Sequence, residues 1–165
     1  MVPPQHQVLR EGVVAGLIGA TTIALWFGLI DLIFGAPLDT PATIGNALGS
    51  LFLEGRLPSR TVAIVGYTIF HVCAFLTVGI LVAGVLHQAE RVPSVMIGVL
   101  GLLVAFEVGW IGWTTVLSER YGGLPWLQVF AANLLAAASM GWYLWRRHPT
   151  LIRKVDRALA GHPQS

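Results

Sequence analysis

Four apolar runs of about twenty residues or more, the length needed to cross the ~30 Å hydrocarbon core of a bilayer, constrain this chain most. They cover 12–34, 61–86, 95–117 and 124–145. Backbone amides in lipid must be satisfied within the segment itself, so each run is expected to be a transmembrane helix. Composition agrees: 55% of the 165 residues are hydrophobic, 11% are charged and the mean hydropathy is +0.73. Soluble domains carry roughly 25% charged residues. The expected fold is all-α and integral to the membrane, an up-down bundle of four transmembrane helices over 1–148. The run 149–165 is read as a cytoplasmic basic tail.

The first run follows Arg10 and resembles a signal peptide in position only. It is too long for a typical apolar core, and its small-residue exit at Gly35-Ala36 runs into Pro37, so it is read as a retained helix. Basic residues beside the runs set the orientation. With four spans both termini share a side, which collects Arg10, Arg91, Arg146, Arg147, Arg153, Lys154 and Arg157, against Arg56, Arg60 and Arg120 on the other. Both termini are therefore expected in the cytoplasm, with Trp142, Tyr143 and Trp145 as an inner aromatic belt and Trp126 as an outer one. The bilayer is the first partner implied. A net charge of +2 with no basic face argues against nucleic acid. The lone Cys73 excludes an intramolecular disulfide.

Short connections after the second and third runs make those helices antiparallel neighbours. The longer stretch between the first two runs holds Thr40 and Pro41, an N-cap and first-turn pair. Ile44, Leu48, Leu51 and Phe52 follow at helical spacing. An interfacial helix over about 41–54 is expected there. After Pro149, Leu151, Ile152, Val155 and Leu159 oppose Arg153, Lys154 and Arg157, the pattern of an amphipathic helix drawn to anionic lipid.

Small residues mark where membrane helices approach closely. The first run offers Gly12, Gly16 and Gly19, and the third aligns Gly98, Gly101, Ala105, Gly109 and Gly112 within about 80° of one another. Packing within the chain is the first expectation, and a homo-oligomer or larger membrane complex the second.

Ionisable groups in the hydrocarbon are costly, by on the order of 2.5–3.5 kcal/mol on insertion scales, and face protein or water when they occur. His71 and Glu107 each lie about 16 Å below the predicted outer ends of their helices, and Asn133 lies near the same level. Asp31 sits higher, with Thr68 and Thr114 one to two turns above His71 and Glu107. These six residues are the candidate intramembrane polar site. Glu107 points about 160° from the glycine stripe on its own helix, toward a partner or a second buried interface.

The run Gly16-Leu-Ile-Gly-Ala-Thr-Thr-Ile-Ala-Leu-Trp-Phe27, with Asp31, Gly35-Ala-Pro-Leu-Asp-Thr-Pro41 and Gly66-Tyr-Thr-Ile-Phe-His71, resembles small bacterial inner-membrane proteins of four predicted spans. The resemblance covers about the first half of the chain and brings no catalytic residue with it. It implies a multi-pass protein of the bacterial inner membrane.

Three functions compete. A structural or accessory subunit would use the polar residues for helix or partner association, whereas a small proton-coupled transporter or ion-handling protein would titrate a His-Glu site. A haem or metal-binding subunit would use His71, but haem wants a second axial ligand and Cys73 points about 160° away from His71 on a helix. No cofactor is expected. Without an HExxH, GxSxG or DxxD motif no catalytic residue is assigned, and the chain leans away from being an enzyme.

Overall fold

The computed structural model describes residues 4–52, 58–91 and 126–148, and all of its elements are helical. Four helices are described: α1 (Pro4–Ile33), α2 (Asp39–Phe52), α3 (Arg60–Arg91) and α4 (Trp126–Arg147). Three are long and apolar enough to cross a membrane, over Gln7–Ile33, Arg60–Gln88 and Leu127–Arg147, with mean hydropathies of 2.1, 2.5 and 1.3. The expected span at 95–117 and the tail at 149–165 lie outside the described residues.

The helices run past the apolar stretches that announce them. α1 begins at Pro4, eight residues before Gly12, and α3 continues to Arg91. Hydropathy marks the part of a rod that tolerates lipid, while the rod itself continues as long as the i to i−4 bonds are unopposed. Proline at the first helical position costs nothing, because that N–H has no partner in the helix anyway. Ser59 caps α3, its Oγ 3.4 Å from the Val62 amide.

Between α1 and α2 the chain reverses in a few residues. Gly35 takes φ 70°, the left-handed position that closes many helices, and the Ala36 amide bonds back to the Asp31 carbonyl at 2.9 Å. Pro37 and Leu38 are then the centre of a turn in which the Asp39 amide donates to the Ala36 carbonyl at 3.1 Å. Leu38 holds φ 62° there, a conformation that costs a residue with a Cβ about 1–2 kcal/mol. α2 starts one residue before Thr40, and the cap is not the one that local sequence suggests. The buried Asp31 carboxylate of α1 accepts both the Thr40 amide, at 3.0 Å, and the Thr40 hydroxyl, at 2.6 Å. A residue of the preceding helix thus supplies the acceptor that Thr40 would otherwise give to its own helix.

α1 is the centre of the described bundle, packing on both α3 and α4, while α2 packs mainly on α3. The α1–α3 contact is antiparallel and tight. Gly12 lies against the backbone of Ile80, Gly16 against that of Phe75 and Leu76, and Gly79 against Gly12 and Gly16, so a Cβ on any of these glycines would overlap the opposing main chain. Gly19 lies against Phe75 of α3 and Met140 of α4. α2 uses the same device, Gly45 lying on the backbone of Ala63. Among the described side chains of α2 the buried residues are Thr40, Ala42, Gly45 and Ala47, with Ile44 and Leu48 only half-buried. Close backbone approach at Gly45 gives the small side chains of α2, ahead of Ile44 and Leu48, the buried places at the helix interface.

Among the described residues two apolar clusters fill the interior. Ala15, Ala83, Met140 and Leu144 form one, and Ile23, Phe27, Ala132 and Ala136 the other, with Phe75 packed against both. Large side chains such as Leu25, Ile33, Phe34, Ile69 and Leu81 point outward, each more than 60% exposed. Large apolar side chains turned outward suit a protein solvated by lipid, where packing and not water exclusion holds helices together.

Candidate functional site

Among the described residues, two groups of polar side chains lie inside the bundle besides the Asp31–Thr40 pair. The first is built around His71 on α3. Its Nε2 lies 3.1 Å from the carbonyl oxygen of Ala20 on α1. A carbonyl only accepts, so Nε2 carries the hydrogen, and in the neutral ring Nδ1 accepts from the Tyr67 hydroxyl at 3.4 Å. Phe75, one turn further along α3, closes the other side, its ring 4.8 Å from that of His71. Both imidazole nitrogens are thus engaged by protein groups. Thr22 on α1 makes a comparable link to α4, with its Oγ1 3.1 Å from Ser139 Oγ.

The other expected site residues are not gathered around His71. Asp31 is buried and holds Thr40, and Thr68 is exposed and returns its hydroxyl to the Ile64 carbonyl of its own helix at 2.7 Å. Asn133 is half-buried on α4. Among the described residues no hydrogen bond or ring contact joins His71 to Asp31, Thr68 or Asn133. Glu107 and Thr114, and the stripe of Gly98, Gly101, Ala105, Gly109 and Gly112, lie outside the described residues. Cys73 is exposed.

The second group was not anticipated from sequence. It lies where the first turns of α1 meet the last turns of α3 and α4. Glu11 of α1 places its Oε2 3.2 Å from His148 Nε2 and 3.9 Å from His87 Nε2. Three neighbouring helix ends provide the positions: Glu11 is one residue before Gly12, His87 one turn from the end of α3, and His148 the residue that closes α4. The His148 amide still bonds to the Leu144 carbonyl at 3.2 Å, one residue past Arg147, the last residue of α4. His148 is 5% exposed and its ring meets that of His87 edge-on, with centroids 4.8 Å apart. His87 Nδ1 donates to the Ala83 carbonyl at 3.0 Å, which leaves the Nε2 lone pair directed into the cluster.

Depth counting favours groups near the middle of a span, and this cluster sits at the end of the spans, so nothing drew attention to it. The signal was nonetheless present. In an antiparallel arrangement the start of the first run and the ends of the second and fourth share a side, and each of those ends carries a titratable residue.

The two groups differ in chemistry. In the His71 group one hydrogen bond joins α3 to α1 and a second, from Tyr67 of the same helix, satisfies the other nitrogen, an arrangement suited to holding the two helices in register. The Glu11, His87 and His148 group converges three donor atoms, all within 4.8 Å of one another, on one point. A shallow hollow of about 350 Å³ on α1, lined by Val14, Leu17, Ile18, Thr21 and Thr22, contains no charged group. Comparison of the chain with known protein families, with curated proteins and with solved structures gives no match.

Proposed function

We propose that the chain is a structural or accessory subunit of a membrane assembly, a four-span up-down bundle of the bacterial inner membrane with both termini in the cytoplasm. The carrying observation is the engagement of both His71 nitrogens by Ala20 and Tyr67, which makes the mid-membrane histidine a link between α1 and α3. Asp31 likewise links α1 to α2, and Thr22 links α1 to α4. A transporter that relayed protons through His71 would need one of its nitrogens open to a moving proton.

Helix direction supports the fourth crossing. Both α3 and α4 end at the Glu11 cluster, so they run in the same direction, antiparallel to α1. The connection 92–125 therefore starts at one end of the bundle and finishes at the other, and the apolar run 95–117 is long enough to cross between them. On this reading the basic tail lies on anionic lipid, and the third helix brings Glu107 to a partner or a second copy.

Isolation of the full chain in mild detergent, with mass identification of what stays bound, tests the proposal. Stoichiometric partners or a stable homo-oligomer, lost on Glu107→Leu or Gly109→Leu, are expected. A monomer that carries proton-coupled flux in liposomes, abolished by Glu107→Gln, would replace this reading with the transporter.

A further inference from the structure

We propose that Glu11, His87 and His148 form a binding site for a divalent first-row transition-metal ion, with zinc as the reference case, one ligand coming from each of α1, α3 and α4. The donor set suits such an ion. Imidazole nitrogen with one carboxylate oxygen is a ligand combination of zinc and its neighbours. One carboxylate charge with two neutral rings leaves a small positive charge on the bound ion.

The distances fit a single ion. Zinc bonds to nitrogen and to oxygen run about 2.0–2.2 Å, so tetrahedral ligand atoms stand about 3.3–3.5 Å apart. Here Glu11 Oε2 is 3.2 Å from His148 Nε2 and 3.9 Å from His87 Nε2, and all three donors lie within 4.8 Å of one another. Side-chain adjustments on the order of 1 Å bring them onto one sphere. The edge-on meeting of the two rings lets both Nε2 atoms converge without a face clash.

The surroundings also match what a metal site requires. A ligating histidine normally donates its other N–H to a carbonyl or carboxylate, which fixes the tautomer and turns the free lone pair to the metal. His87 does this through the Ala83 carbonyl. Glu11 Oε2 is buried, and the polar groups that face it among the described residues are the two imidazole Nε2 atoms. His148 lies at the C-terminus of α4, where the macrodipole adds negative potential and favours a cation. With three protein ligands, the fourth position is left for water or another small donor.

Bound there, the ion would tie together the three described spans at one end, beside the Gly12 contact that already brings α1 and α3 together. The site is separate from His71, and neither depends on the other.

Full-length protein, purified in detergent with any histidine tag removed, is incubated with zinc, freed of excess by gel filtration and analysed for metal and protein. One zinc per chain is expected in the wild type and in His71→Gln, and at least a tenfold weaker affinity in Glu11→Gln and in His148→Gln. A wild type that retains no zinc, as a simple histidinium–carboxylate pair would, overturns the proposal, and so does equal affinity in wild type and both ligand variants. His87→Cys guards against variants that lose zinc by misfolding, because it keeps a metal donor at that position. Its cobalt(II) form should show an intense sulfur-to-cobalt band absent from wild type. A His87→Cys protein that binds cobalt without that band overturns the site.

Discussion

The Nε2–H of His71 on α3 donates to the carbonyl oxygen of Ala20 on α1, 3.1 Å away. This bond crosses between two helices whose backbones touch one and two turns further along, at Gly16 and Gly12. A helix carbonyl keeps a second lone pair after its own i+4 bond, so the imidazole is satisfied without breaking α1. His71 is consequently part of the α1–α3 seam.

His71→Leu removes this bond and leaves Tyr67 without its acceptor. Interhelical hydrogen bonds in membranes contribute on average about 0.6 and at most about 1.7 kcal/mol. A loss in that range is expected in reversible unfolding from mixed micelles. A variant as stable as the parent would show that His71 does not serve helix association.

Gly79 meets the backbone of Gly12 and Gly16, so Gly79→Val should separate α1 from α3. Overpacking typically costs about 1–3 kcal/mol, and backbone-to-backbone overlap belongs at the upper end. Gly66 on the same helix has open space where a Cβ would go. Gly66→Ala should leave stability unchanged or slightly raised, in keeping with the helix propensity of alanine. Thermal unfolding of the two variants in one detergent compares them directly, and equal behaviour would remove the glycine seam.

Asp31 and Thr40 act as one unit. Loss of a capping interaction costs about 0.5–2 kcal/mol, and Asp31→Ala and Thr40→Ala should each fall in that range. The double variant should cost clearly less than the sum of the two, because the second change removes a bond already absent. Strict additivity in unfolding measurements would separate the two residues.

Leu38 holds a left-handed backbone and is 55% exposed, so glycine there relieves strain while removing little buried surface. Leu38→Gly should be neutral or stabilising by up to about 1 kcal/mol, after the greater chain entropy of glycine is deducted. Gly35→Ala, at φ 70°, should destabilise by about 1 kcal/mol. The opposite signs of two neighbouring changes can be read from one pair of melting curves.

Much of the architecture is legible in local composition. The runs 12–34, 61–86 and 124–145 coincide with α1, α3 and α4, and the helix expected over 41–54 with α2, each to within a few residues apart from the polar extensions of α1 and α3. Gly12 and Gly16 announce a close contact by their spacing, and their partner, Gly79, is paired at the same spacing only with Ala83. Asp31 was legible as a buried acid but not as the cap of another helix, since its acceptor role depends on the turn at Gly35 and Leu38.

What the sequence by itself determined is which segments become rods in lipid, because unsatisfied amides and charged side chains are penalised residue by residue in hydrocarbon. What only the tertiary structure decided is which side chains meet. Glu11, His87 and His148 are far apart along the chain and ordinary in isolation, and they become one cluster because antiparallel packing on the Gly12, Gly16 and Gly79 seam brings three helix ends to the same level. Hydropathy acts on each segment separately, whereas this convergence depends on the direction and register of three helices at once.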